Sequence, residues 1–432
     1  MSGPAGPLLA RTQHRLRPDA SRTLCRLFVP GQETLIRGEP RAMAVIDRVL
    51  ELSDQDVESA LARTLSRFSS RHRDMAQILE QNFRLVAPGL GTGIATAASR
   101  RQLIGAYFTQ EYAFEAAALF NPSIVPHPDQ GGCLRGEVRF VMSLRAVGEG
   151  HISSIEFRSG IIDAESVIRL DPPGRFPETG SFRPVTCDHG LYFVEFDEDR
   201  ALSERVLWPA DPAESHGMED ARFVRFDDGD GDSPVYYATY TAFDGSRVAP
   251  QLLETSDFRT FTVFQLSGPS AGNKGMALFP RRIAGRYAAL SRWDRESNAI
   301  CYSDDGHRWS EAVTVQTPAR AWELIQLGNC GSPIETPAGW LVLTHGVGPM
   351  REYAIGAILL DLDEPEHLIG ALSEPLLIAD DAERDGYVPN VVYSCGAMLH
   401  GGTVVLPYGC SDSSVRIATV DLGLLLDRLT LA

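Results

Sequence analysis

No stretch of this chain reaches the roughly 18 consecutive apolar residues that a membrane-spanning helix needs. Basic charge is scarce as well. Lys and Arg number 40 against 57 Asp and Glu, a formal net charge of −17 over 432 residues. Nucleic acids and anionic membranes are held through clustered cations, so neither is an expected partner. The seven cysteines (Cys25, Cys133, Cys187, Cys301, Cys330, Cys395 and Cys410) are scattered, odd in number and never in CxxC spacing. That argues against a zinc site and against a disulfide framework. The stretch GLGTGIATAASR lacks the Lys-Ser/Thr ending and the preceding strand of a nucleotide phosphate loop. DDGDGD, from Asp227 to Asp232, lacks the spaced ligands and closing Glu of a calcium loop, so it reads as a solvated hairpin tip. No metal is expected, and no nucleophilic triad. The opening MSGPAGPLLARTQHRLRP lacks the charged, apolar and cleavage order of a secretory signal. Together with the cysteine usage, this points to a reducing, cytoplasmic setting.

What is present falls into two grammars. Residues 40 to 118 read as helical. In SDQDVESALARTLSRF, Ser53 and Asp54 are candidate N-caps, and Val57, Leu61, Leu65 and Phe68 recur at helical spacing. Met75, Ile78, Leu79 and Phe83 continue the pattern, GLGTG from Gly89 to Gly93 breaks it, and a further helix is expected from Arg100 to Leu119. Pro122, Pro126 and Pro128 end this region.

From about Arg135 short apolar runs recur every ten residues or so, separated by Gly, Pro, Asp and Ser. VRFVMSLRA, PVYYATYTAF, RYAALSRW, GWLVLTHG, AIGAILLDL and TVVLPYG are examples. Many short strands with regular turns suggest an all-β sandwich, barrel or propeller. LETSDFRTFTVF and CYSDDGHRWSEAV share Ser, Asp, a turn and an aromatic, about one propeller blade apart, which favours a propeller of five or six blades.

A propeller gathers strand ends around a funnel, so polar residues at those ends are site candidates. They are Asn121, Arg145, Glu219, Asp220, Arg222, Lys274, Arg292, His345 and Asp412. Taken singly, each reads as a solvated or ion-paired surface group or a turn former. Their recurrence in blade after blade argues for a shared site. One or two carboxylates suit general acid or base work, and Lys274, Arg292 and His345 suit an anion such as phosphate.

The motifs HGMEDARFV, NKGMALFPRRIAGRYAALSRW, GSPIETPAGWLVLTHG, IGAILLDLDEPEHLIG, ERDGYVPNVVYSCGAML and YGCSDSSVRIATVDL occur in one order across Asn121 to Leu425. In this the chain resembles glycoside hydrolase family 130, the β-mannoside phosphorylases and related mannosidases. The resemblance implies an all-β five-bladed β-propeller at residues 119–432. Residues 1–118 are then a helical N-terminal extension, packed on the propeller or used for homo-oligomer assembly.

It further implies inverting cleavage of a β-mannoside or manno-oligosaccharide, with Asp220 as proton donor. No cofactor is implied; inorganic phosphate is the co-substrate if the reaction is phosphorolysis, giving mannose 1-phosphate. Lys274, Arg292 and His345 match anion-binding positions, whereas Gln326 stands where phosphorolytic relatives have Lys. Glu335 also replaces a common Lys, and Ala221 replaces the usual Pro. Asn121, Arg145 and Asp412 match sugar-contacting positions, Glu219 a sugar or positioning contact, and Arg222 an ion-pair partner. Tyr408 and Tyr387 are the candidate aromatic wall. Hydrolysis by water, and a non-catalytic carbohydrate-binding propeller, are the alternatives.

Overall fold

The computed structural model describes residues 8–30, 40–90, 97–185, 190–229 and 234–431. Cys187 and parts of the GLGTG and DDGDGD stretches lie outside them. The chain divides into two compact units. One comprises residues 20–114 with 175–178, and the other takes the rest, including the N-terminal segment up to Asp19.

The smaller unit is mostly helical. Helix α1 spans Pro40–Glu51, α2 Asp54–Phe68, α3 Met75–Val86 and α4 Ala98–Tyr107. Ser53 caps α2, its side chain accepting from the Asp56 N–H. Val57, Leu79, Phe83, Leu103 and Ile104 are buried along the apolar faces. Helices α3 and α4 approach so closely that a Cβ at Gly105 would lie 1.8 Å from the Leu79 carbonyl oxygen. The helix expected to run to Leu119 stops earlier. Thr109 Oγ1 donates to the Gly105 carbonyl at 2.8 Å, and Thr109–Tyr112 then pairs antiparallel with Leu24–Leu27. That pairing depends on residues some 85 positions away, which no local pattern reveals.

The larger unit is β throughout apart from short turns and the C-terminal helix Leu422–Arg428. Its 12-stranded sheet contains two antiparallel runs. The first is Ala118–Pro126, Val138–Val147 and Ser153–Ile162; the second begins Gly217–Phe226, Val235–Phe243 and Val248–Thr255. A parallel pairing of Gly217 with Ser153 joins them. Further antiparallel groups contain Tyr287–Ser291 with Asn298–Ser303, Gly339–Val347 with Tyr353–Leu360, and Thr403–Cys410 with Ser414–Asp421. The cores between them are aromatic and branched aliphatic. Phe157, Phe223, Phe258 and Phe261 pack in one cluster, with Phe157 and Phe261 stacked at 5.9 Å.

The two repeated turns share a mechanism. Thr255 and Ser303 each accept from the N–H three residues on, at Phe258 and Gly306. Asp257 and Asp305 each accept from two further N–H groups, at Arg259 and Thr260 and at His307 and Arg308. The shared residue after the Asp is left-handed in both, at φ 54° for Phe258 and 79° for Gly306.

The helical extension expected from residue 1 begins differently. Leu9–Leu16 is a strand paired with Ser414–Asp421, in register Leu9 with Val420 and Leu16 with Val415. Its sequence, LARTQHRL, is too polar to announce a strand, because its partner lies 400 residues away. Arg11 in that strand reaches buried Glu383, which also accepts from the Tyr408 hydroxyl at 2.6 Å, from Arg416 at 3.3 Å and from the Asp380 N–H. Tyr408, expected in the aromatic wall, is therefore a core residue. It is fully buried because both faces of the strand Thr403–Cys410 are covered.

Tyr408→Phe is expected to lower stability by about 1–2 kcal/mol, the value of one buried hydrogen bond. Glu383→Ala is expected to cost more, about 2–4 kcal/mol, because it leaves the buried Tyr408 hydroxyl and two partly buried arginines without their carboxylate. Urea unfolding of the two variants checks the order.

Candidate active site

Asp220 sits at a β-bulge. Between the pairs Glu219–Thr241 and Arg222–Thr239, the two residues Asp220 and Ala221 face Tyr240 alone, and Asp220 is left-handed at φ 58°. The strand Ala118–Pro126 repeats the device. Asn121 and Pro122 face Leu144 alone, and Asn121 is left-handed at φ 48°. Ala221 thus occupies the bulge position that Pro122 holds in the other strand. Just beyond the bulges, the Phe223 N–H donates to Ser123 Oγ at 3.1 Å, tying the strands side by side. Both bulges aim their left-handed side chain at one point: Asn121 Nδ2 donates to Asp220 Oδ1 at 2.6 Å.

Cations complete the setting. Arg145 donates to Asp220 Oδ1 at 3.2 Å and to Glu219 Oε1 at 2.8 Å, with its guanidinium 5.1 Å from the centre of the Phe120 ring. Lys274 Nζ donates to Glu219 Oε2 at 3.0 Å. Arg222 is placed differently from the expected carboxylate ion pair. It donates to the Asp220 main-chain carbonyl at 2.9 Å and to the Tyr393 hydroxyl at 2.7 Å, because the bulge turns that carbonyl towards it. Burial pushes the Asp220 carboxyl up, but Arg145, Arg222 and Lys274, with the Asn121 hydrogen bond, outweigh it and hold it at about 2.

One cavity of about 320 Å³ brings together Asn121, Arg145, Asp220, Arg222, Lys274, Arg292, Gln326, His345 and Asp412. That volume is near the lower end for ligand pockets and suits a monosaccharide unit with a small anion. Glu219 does not line it and acts through Arg145 and Lys274. Tyr387 lies outside the lining, mostly exposed, with its hydroxyl 3.5 Å from His151 Nδ1. Glu335 is also outside it, paired with Arg281 at 2.9 Å. The segment Gly268–Gly272 has Gly-x-Ser-x-Gly spacing, but Ser270 is buried with its hydroxyl donated to the Ser310 carbonyl, and it lines no part of this cavity.

His345 is a neutral partner of Arg292 and not a cation. Burial, then Arg292 and Arg222, holds its imidazole well below the ordinary value. Its Nδ1 faces the Asn329 carbonyl at 3.2 Å and so carries the proton, leaving Nε2 to accept from Arg292 Nη1 at 3.0 Å. This pair needs Gly328, where a Cβ would lie 2.6 Å from His345 Cε1 and 3.0 Å from Arg292 Cδ.

Phe120, Arg351, Tyr353 and Tyr393 line the cavity and were not singled out from the sequence. Only Tyr393, inside VPNVVYSCG, lay in a quoted motif. Buried polar atoms on Asn121 (Oδ1), Arg145, Arg222 and Arg292 (each Nε) have no hydrogen-bond partner among the described residues. Such a concentration suits a site that completes its hydrogen bonding with a ligand. Asp412 lies in the hairpin after Thr403–Cys410, left-handed at φ 48°. Ser411 anchors that turn by donating Oγ to the Glu383 carbonyl at 2.6 Å. Burial and then the Asp220 charge push the Asp412 carboxyl up to about 6, against Arg145 and Arg351.

A family model described as beta-1,4-mannooligosaccharide phosphorylase, the glycoside hydrolase 130 model, matches residues 197–431. A 1,2-beta-oligomannan phosphorylase of Thermoanaerobacter is 31% identical over 242 residues, 54% of this chain and 76% of the relative. A beta-1,2-mannobiose phosphorylase of the same organism is 30% identical over 58% of this chain and 80% of its own length. In fold, the chain is similar to beta-1,2-mannobiose phosphorylase from Listeria innocua, with a TM-score of 0.51 at 20% identity, covering 72% of this chain and 92% of that one.

The Asp412 shift makes a stability prediction. A carboxyl that holds its proton more tightly when folded loses stability as pH rises from about 4 to about 6. Asp412→Asn removes that loss, so the variant is expected to be more stable than the parent at pH 8, by the order of 2–3 kcal/mol, with the gain gone at pH 3.5. Urea titrations at the two pH values check it.

Proposed function

The chain belongs to glycoside hydrolase family 130, and we propose that it cleaves β-mannosidic bonds by phosphorolysis, with Asp220 as the proton donor. The observation that carries this reading is the charge balance of the cavity. Arg145, Arg222, Lys274, Arg292 and Arg351 face it, against the carboxylates of Asp220, Asp412 and the adjoining Glu219. The excess positive charge suits a phosphate dianion, which charge-assisted hydrogen bonds would hold. The names of the relatives support the same chemistry.

The low proton affinity of Asp220 sets a requirement on this reaction, because an ionised carboxylate cannot donate a proton. With the cations unopposed, the carboxyl stays ionised. A phosphate dianion answers the same cations and weakens their hold, which favours protonation of Asp220. The proton then passes through a sugar hydroxyl to the glycosidic oxygen as the bond to the leaving sugar breaks. A phosphate oxygen bonds to the anomeric carbon from the opposite face, giving mannose 1-phosphate of inverted configuration. Hydrogen phosphate surrenders its own proton in forming the ester, which restores the acid. No second carboxylate is needed as base, because the nucleophile is already an anion.

A closed five-bladed propeller accounts for the antiparallel groups, with Leu9–Leu16 completing the last of them. In this reading the helical unit is an addition to the catalytic unit, and the enzyme works in the cytoplasm on free manno-oligosaccharides. Hydrolysis by water is the second reading, and the observation that favours it is Gln326, a neutral amide in the cavity lining where the family resemblance implies a lysine.

The test is a product assay on β-1,2- and β-1,4-mannosides with and without phosphate. Mannose 1-phosphate is expected only with phosphate. Free mannose released at the same rate without phosphate overturns phosphorolysis, and no product in either condition leaves a binding protein. Asp220→Asn is expected to lower kcat by about 10²–10⁴-fold, the usual contribution of a positioned general acid.

A further inference from the structure

The cavity lining is neutral at Gln326 and at His345, the partner of Arg292. A further cation belongs to the same lining. Gln326 pairs with Val347, and the loop that leaves Val347 carries Arg351 before the chain returns at Tyr353. Arg351 and Tyr353 line the same cavity as Gln326 and Arg292. The loop is closed by the Gly348 N–H donating to the Glu352 carbonyl at 3.0 Å.

Its backbone is unusual. Met350 and Arg351 are both left-handed, at φ 57° and 59°. The hairpin 200 residues earlier has the same form. There Gly148 N–H donates to the Ile152 carbonyl, and Gly150 and His151 are left-handed at 68° and 58°. In that loop glycine takes the first left-handed position without strain, whereas Met350 takes it at a cost. Strain kept at a ligand pocket calls for a function. Met350 is 91% exposed, so its side chain is not what the loop is built to bury. What the strained turn does is carry the Arg351 side chain into the cavity lining. Arg351 makes no carboxylate contact within 4 Å among the described residues, and its charge lowers the proton affinity of Asp412 in the same cavity lining.

We propose that Arg351 supplies the anion-binding charge that Gln326 lacks, so that an inorganic phosphate is gripped by Arg292 on one side and Arg351 on the other. The inference deepens the phosphorolytic reading and rests on it. Because Arg351 is exposed, water screens its charge and its effect is smaller than that of a buried arginine.

The experiment measures initial rates of phosphorolysis against phosphate and against mannoside separately, together with calorimetric titration of sugar-free enzyme by inorganic phosphate. Arg351→Gln is expected to raise KM for phosphate and the phosphate Kd by roughly five- to tenfold, about the span of one partly screened charge. KM for the mannoside is expected to hold. Arg351→Lys keeps the charge and should keep most of the affinity. Gln326→Lys placed in the Arg351→Gln background should restore phosphate binding. An unchanged phosphate KM and Kd in Arg351→Gln overturns the proposal. So does an equal rise in the mannoside KM, which would mean that Arg351 reads the sugar. A parent enzyme whose rate ignores phosphate instead overturns the phosphorolytic reading itself, and the two failures are told apart by the parent alone.

Discussion

Arg145 is the contact on which the rest of the site depends. One guanidinium reaches from the strand Val138–Val147 to both Glu219 and Asp220 in the neighbouring run. Two adjacent carboxylates cannot both stay ionised in a buried place without such a partner, since each would otherwise meet the desolvation cost and the repulsion of the other. Phe120 backs the guanidinium face, so its direction is fixed by packing as well as by charge. Lys274 then takes the remaining oxygen of Glu219, and Arg222 holds the main chain behind Asp220. The Asp220 carboxylate is thereby kept charged and aimed.

Holding it there requires strained backbone. Left-handed conformations at non-glycine residues cost of order 1–3 kcal/mol each, and Asn121, Asp220, Ser411 and Asp412 all adopt one. They persist because rigid surroundings over-determine them. Tyr240, opposite the Asp220 bulge, donates its hydroxyl to buried Glu214, which also accepts from Tyr192 at 2.6 Å. The Ser411–Asp412 turn is anchored on Glu383, and through it on Arg11 of the N-terminal strand. A segment at the far end of the chain therefore helps to position a cavity residue.

Much of this was legible in the chain. Strand runs such as PVYYATYTAF and GWLVLTHG appear as strands, and the Ser53 cap and the apolar faces of α2 and α3 appear as helix features. Polar residues at strand ends meet in one cavity because short strands with regular turns return their ends to the same side. The exceptions have physical causes. Tyr408 reads as an aromatic wall of the sugar site, but its hydroxyl has a buried carboxylate to meet. His345 carries the residue type of a cation, but burial beside Arg292 leaves it neutral. Leu9–Leu16 has a polar sequence and becomes a strand only because Ser414–Asp421 offers it an edge.

The sequence by itself determined the types of element, the repeated hydroxyl-and-Asp turns and the family motifs, because each is written in local spacing and local hydrogen-bonding capacity. It also puts a neutral Gln326 where the family resemblance implies a lysine. Tertiary structure alone decided which charges oppose one another, where the imidazole proton resides, and that Arg351 shares a cavity with Gln326. Those outcomes depend on distances between strands that meet only after folding, and on the burial that makes each such distance count.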